Sequence, residues 1–175
     1  MSDYRLEDEV RIPAPALHAL AAAADRGGEP VAAAVRDAGR AAGEEITRRI
    51  ANVISLSDLD TNDFWSAVNA ETGARGLGTF EWERGVGGYA EVVAHGAPDL
   101  AESGREPAGN RGTPFTEGLI EGLLGSAAEE SVGVVRAPLD GGEGIRFVVG
   151  SPTALRHVRL RLQAGANLEQ ALEGI

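Results

Sequence analysis

Side chains capable of chemistry are few in this chain and widely spread. The three histidines stand at positions 18, 95 and 157, so no two fall on one helix face at the spacing of a zinc-protease motif. Cysteine is absent, which excludes disulfides, thiolate metal sites, cysteine-ligated clusters and a cysteine nucleophile. Neither a Walker loop nor a GxSxG elbow is present. The glycines around Gly85, Gly87 and Gly88 join two predicted strands, whereas a phosphate-cradling loop leads from strand to helix. Asp58-Leu59-Asp60-Thr61-Asn62 imitates the opening of a calcium loop. However, Asp63 stands where the turn glycine belongs and Asn69 where the bidentate glutamate belongs, so helix capping accounts for these residues better. The residues therefore predict no catalytic group, no metal and no cofactor.

What remains is apolar surface and glycine. The rings Phe64, Trp65, Phe80, Trp82, Tyr89, Phe115 and Phe147 lie on different segments, and any one of them alone reads as ordinary core. Gly39 and Gly43 lie four apart on one predicted helix, Gly118 and Gly122 four apart on another. A helical glycine costs about 1 kcal/mol relative to alanine, so two such pairs imply close backbone approach, helix on helix or helix on ligand. In the second case an apolar molecule would lie among Phe64, Trp65, Phe80, Trp82, Phe115, Leu119, Leu123 and Phe147. His95 could then hydrogen-bond a ligand hydroxyl or carbonyl, although a surface or partly buried strand-end histidine is its plainer reading.

These residues need elements to hold them. A helix is expected near 15–25, a second from Pro30 to about Val53, and a third over 61–73 capped by Asp60 or Thr61. The second carries an apolar stripe of Val31, Val35, Ala38, Ala42, Ile46, Ile50 and Val53. Its other face shows Arg36, Arg40, Glu44 and Arg48, with Arg40–Glu44 and Glu44–Arg48 as i,i+4 pairs. Alternation predicts a hairpin from 79–84 and 89–95 and another from 131–137 and 145–149. Between them a helix opens at Thr113-Pro114 and buries Phe115, Leu119, Ile120, Leu123 and Leu124. Residues 96–112, rich in Gly, Pro and Glu, form a long loop and candidate lid. Val158, Leu160 and Leu162 alternate with Arg159 and Arg161 as a strand would, but the Ser151-Pro152 start favours a helix to about Gln163. Asn167 caps a short last helix. The fold class expected is α+β: helices packed on a twisted antiparallel sheet built from two hairpins. An arm over 1–12 precedes a single domain over 13–175.

Composition sets the surroundings. The net charge is −11 and all 16 cationic residues are arginine, which argues against nucleic acid or an anionic membrane as partner. The patch Arg156, His157, Arg159 and Arg161 suits acids of this chain or of a partner. No apolar run reaches the roughly 20 residues of a membrane span, and the acidic start is unlike a signal peptide; a cytoplasmic location is expected.

Four of these segments, in order, resemble the vinyl-reductase-like (4-vinyl reductase) hydrocarbon-binding domain family. Gly39-Arg40-Ala41-Ala42-Gly43-Glu44 resembles its Gly-Arg-x-x-Gly-Glu signature and Gly76-Leu77-Gly78 its Gly-aromatic-Gly turn. The helix from Phe115-Thr116-Glu117-Gly118 to Gly122 is similar to Phe-Thr-x-Gly-x-x-x-Gly, and Ile145-Arg146-Phe147 falls where a Cys-x-Phe strand ends. The likeness runs over about 14–150. It implies the fold of TRAPP vesicle-tethering subunits, an apolar pocket between helices and sheet, and a homodimer. It implies non-enzymatic binding or sensing of a hydrocarbon, aromatic or lipid-like molecule; the alternative is a dimeric adaptor with a collapsed pocket. Where relatives carry zinc-binding cysteines this chain has Thr113, Ala137 and Ile145, and where phenol sensors carry a ligand histidine it has Ala38 or a neighbour. Those departures imply no metal and a more apolar ligand.

Overall fold

The computed structural model describes residues 14–83, 89–98, 113–138 and 143–173. The expected arm, the turn at 85–88 and most of the 96–112 loop lie outside them. In chain order the elements are α1 (Ala14–Gly27), α2 (Glu29–Ala51), a 3-10 turn (Leu56–Asp58), α3 (Thr61–Ala74), β1 (Thr79–Glu83) and β2 (Ala90–His95), followed by α4 (Pro114–Ala128), β3 (Gly133–Ala137), β4 (Ile145–Gly150), α5 (Pro152–Gln163) and α6 (Leu168–Leu172). The architecture is α+β, as expected.

Local chemistry explains the boundaries. Pro30, Pro114 and Pro152 sit in the first turns of α2, α4 and α5, where a missing N–H costs nothing. The Asp63 N–H donates to Asp60 Oδ1 at 2.9 Å and starts α3, which is the capping reading of the acidic run. Asn167 and Gln170 exchange reciprocal backbone bonds at 2.8 and 3.1 Å, a capping box that starts α6. α5 is a helix despite its alternating pattern, burying Leu155 and Val158 and leaving Leu160 exposed.

The sheet order is β1-β2-β4-β3, with every neighbouring pair antiparallel. The two hairpins are thus joined through β2 and β4, with Val92 opposite Phe147. On one face Phe80, Val92, Ala94, Val134, Phe147 and Val149 meet α2, α3 and α4. On the other, Val135, Ala137 and Val148 are covered by Leu155 and Val158 of α5 and Ala171 of α6. The strand alternation divides the β3–β4 hairpin between the two cores, while the buried side chains of β1 and β2 all belong to the first.

α2 departs from its expected faces. It ends at Ala51, and Val53 beyond it is 84% exposed. Val35, Ile46 and Ile50 are buried, but Ala38 faces out. The buried side also contains Gly39, Gly43 and Thr47, turned toward α4. Arg40 pairs with Asp37 at 2.8 Å and Glu121 at 3.0 Å, and Arg48 pairs with Glu45, so the expected pairs through Glu44 do not form. Arg40 borders α4 and reaches Glu121 across the helix contact, whereas Arg48 pairs within α2 with Glu45 three residues back.

The glycine pairs make that contact. A Cβ on Gly39 would overlap the Phe115 carbonyl, and one on Gly43 would stand 2.6 Å from the Leu123 nitrogen. From the other side, Gly118 and Gly122 abut the Arg36 and Arg40 carbonyls. Thr47 Oγ1 donates to the Leu123 carbonyl at 3.1 Å. Of the two explanations for the glycines, helix on helix is the one realised.

Candidate functional site

α3 and β1 build an aromatic wall. Capping by Asp60 sets the phase of α3 so that Trp65 and Val68 point inward. Asn69 then ties α3 to β1 as an extra strand residue would: its Nδ2 donates to the Phe80 carbonyl at 2.9 Å, and the Phe80 N–H donates to its Oδ1 at 2.7 Å. With Phe80 pinned, alternation puts Trp82 on the same face. Trp65 and Trp82 stack at 5.6 Å and 25°, Phe64 meets Trp65 edge-on at 5.6 Å, and Phe80 lies 6.2 Å from Trp65.

That wall bounds an open groove of about 740 Å³. Leu56 and Leu59 of the 3-10 turn region, Leu124 and Ala127 of α4, and Tyr89, Val132 and Val149 share its lining. Asp60 is the one ionised group among the described residues that line it.

Of the residues read from sequence as ligand contacts, the groove brings together Phe64, Trp65 and Trp82. Phe80, Leu119, Leu123 and Phe147 are fully buried beneath it, and Phe115 belongs to the same core. His95 ends β2 with its alternation on the opposite sheet face, its Nε2 3.6 Å from a Glu81 carboxylate oxygen. The candidate lid over 99–112 lies outside the described residues. The sequence does not mark Leu59, Leu124 or Val132 as ligand contacts, and Leu124 reads there as core; nothing in their local pattern separates a groove lining from a core.

A second, polar cleft of about 320 Å³ opens between the middle of α2 and the C-terminal half of α4, with Arg40, Glu44 and Glu121 in its walls. Here sequence reading missed an ion network. Arg36 grips Glu121 with two bonds, Nε to Oε2 at 3.1 Å and Nη2 to Oε1 at 2.6 Å, pairs with Glu117, and donates to the Val134 carbonyl at 3.0 Å. Burial alone would push the Glu121 carboxyl up and the Arg36 guanidinium down. Their mutual bonds, with help from Arg40 at Glu121, outweigh it, so Glu121 titrates below and Arg36 above the ordinary range. The signal was present as matching spacings: Arg36 and Arg40 beside one glycine pair, Glu117 and Glu121 beside the other. In the described residues no group of three or more His, Asp or Glu could hold a metal. Arg161 of the C-terminal basic patch donates to the Gln170 carbonyl at 2.9 Å, and Arg159 to that of Val134 at 3.4 Å.

No protein-family model matches the chain, and no curated protein matches it in sequence. Among solved structures it is similar to the phenol-responsive sensory domain of the transcription activator PoxR, determined with phenol. The TM-score is 0.62 at 10% identity, over 95% of this chain and 85% of that one. It is also similar to trafficking protein particle complex subunit 3 from Naegleria fowleri, covalently bound to palmitic acid. There the TM-score is 0.56 at 12% identity, over 78% of this chain and 91% of that one. At such identities the likeness establishes the fold, and the fold is TRAPP-like. No helix among the described residues is long and apolar enough to cross a membrane.

Proposed function

We propose that this chain is a non-enzymatic binding or sensory domain of the vinyl-reductase-like hydrocarbon-binding type, holding an apolar small molecule in the aromatic groove. The observation that carries the reading is the stacked Trp65–Trp82 pair set into an open, mostly apolar hollow. Its volume is on the scale of small-molecule sites, and its lining has the expected composition of many apolar groups and few polar ones. Phe64, Trp65 and Trp82 are the contacts; Phe80, Phe115, Leu119, Leu123 and Phe147 are the packed support behind them. The phenol-bound sensory domain and the palmitoylated trafficking subunit supply precedent for an apolar guest on this fold. The motif resemblance further favours a homodimer, and the composition a cytoplasmic setting.

One observation favours a second reading, a dimeric adaptor of the tethering type. Most of the expected pocket residues are close-packed, and the glycine pairs bring helices together instead of opening space. Native mass spectrometry of the purified protein, with solvent extraction of any guest, separates the two. A bound small molecule that is lost in Trp82→Leu supports the groove. A stable protein partner with no small molecule, and no response of the tryptophan fluorescence to added apolar compounds, replaces it with the adaptor.

A further inference from the structure

Accepting the groove as a ligand site, we infer that its guest is an organic cation, an apolar or aromatic body carrying an ammonium group, and that Asp60 is the residue that selects it. Ring faces carry negative electrostatic potential, so the aromatic wall attracts positive charge and repels a carboxylate. Phe64, Trp65, Trp82 and Tyr89 all line the groove, and Asp60 is its one charged lining residue among those described. No arginine lines it, although arginine is common in the chain.

The α3 N-terminus is the feature that would favour an anion instead, through its unpaired N–H groups and dipole. That end is already occupied by negative charge. Asp60 accepts the Asp63 N–H at 2.9 Å, and Asp63 adds a second carboxylate in the first turn. Among the described residues neither Asp60 nor Asp63 takes part in an ion pair with arginine. The Asp60 carboxylate uses Oδ1 for the cap, which leaves Oδ2 for a cation at the groove mouth. Aromatic ring faces hold quaternary ammonium groups elsewhere in proteins, and here the Asp60 carboxylate adds an opposite charge to the same groove. A fatty acid anion would meet a like charge and no donor side chain of basic character.

The test compares three guests with the same tail, decyltrimethylammonium, decanol and decanoate, by calorimetric titration of the full chain. The expected order is cation, then alcohol, then carboxylate, with the cation bound roughly tenfold or more tighter than decanoate at low salt. Asp60→Asn keeps the cap, because asparagine caps helices as well as aspartate does, and should bring the cation-to-carboxylate ratio close to one. Glu169→Gln on α6 removes one charge far from the groove and should leave the ratio as it is. Decanoate binding as tightly as the cation, or a ratio that survives Asp60→Asn, overturns the cation assignment while leaving an apolar site intact. Failure of all three compounds to bind overturns the groove reading together with it.

Discussion

Gly118 of α4 presses against Arg36 of α2 so closely that an added Cβ would overlap the Arg36 carbonyl oxygen, with the Arg40 nitrogen 3.0 Å away. The atoms in the way are main chain, so neither helix can yield by rotating a side chain. Gly118→Ala should therefore destabilise the protein by about 3 kcal/mol or more, despite alanine being the better helix former. Chemical unfolding curves would show it as a lowered midpoint.

Gly73 supplies the contrast. It lies near the end of α3, and a Cβ there meets nothing within 4 Å. Gly73→Ala should raise stability by roughly 0.5–1 kcal/mol, the ordinary helical gain. Opposite signs at the two glycines, measured in one series of thermal melts, would separate contact from propensity.

Glu121 sets the behaviour in acid. Its carboxyl is held below the ordinary range by Arg36 and Arg40 against the opposing effect of burial. A depressed folded-state value means the unfolded chain takes up the proton first. The stabilisation is therefore complete above the unfolded value of ~4.3 and fades as pH falls through the lower folded one. Melting temperature should hold from neutral pH down to that region and then drop. Glu121→Gln should weaken the protein at neutral pH by about 1–3 kcal/mol, because Arg36 loses its charge-assisted bonds to Glu121 while keeping Glu117, and should flatten the acid limb.

Asn69 fastens the aromatic wall. Both amide atoms are bonded to the Phe80 backbone, at 2.9 and 2.7 Å. Asn69→Leu removes those bonds and strands two backbone groups, at a cost of about 2 kcal/mol. Near-ultraviolet circular dichroism should report a weakened Trp65–Trp82 signal even where far-ultraviolet helix content is kept.

The elements were legible in sequence wherever a local signal was strong. Prolines at first turns, the Asp60 and Asn167 caps and the strand alternation of 79–83 placed their segments within a few residues. Ser151-Pro152 resolved α5 correctly against its own alternating pattern. The α2–α4 contact was half legible: glycine spacing announced a close approach, but spacing carries no information on whether backbone or guest fills it. The ion network joins residues 81 and 85 positions apart, and an arginine on an amphipathic helix looks the same in sequence whether it faces water or a buried glutamate. For the same reason ring types alone did not separate Trp82, at the groove, from Phe147, beneath it.

Because the backbones of α2 and α4 touch along the glycine faces, the two helices form one stiff strut with no interposed side chains to shuffle. Sliding one along the other would drive carbonyls into carbonyls. Room for a guest therefore depends on the α3 side of the groove, where α3 is held to β1 by the Asn69 amide and by the contacts of Trp65 with Phe80 and Trp82.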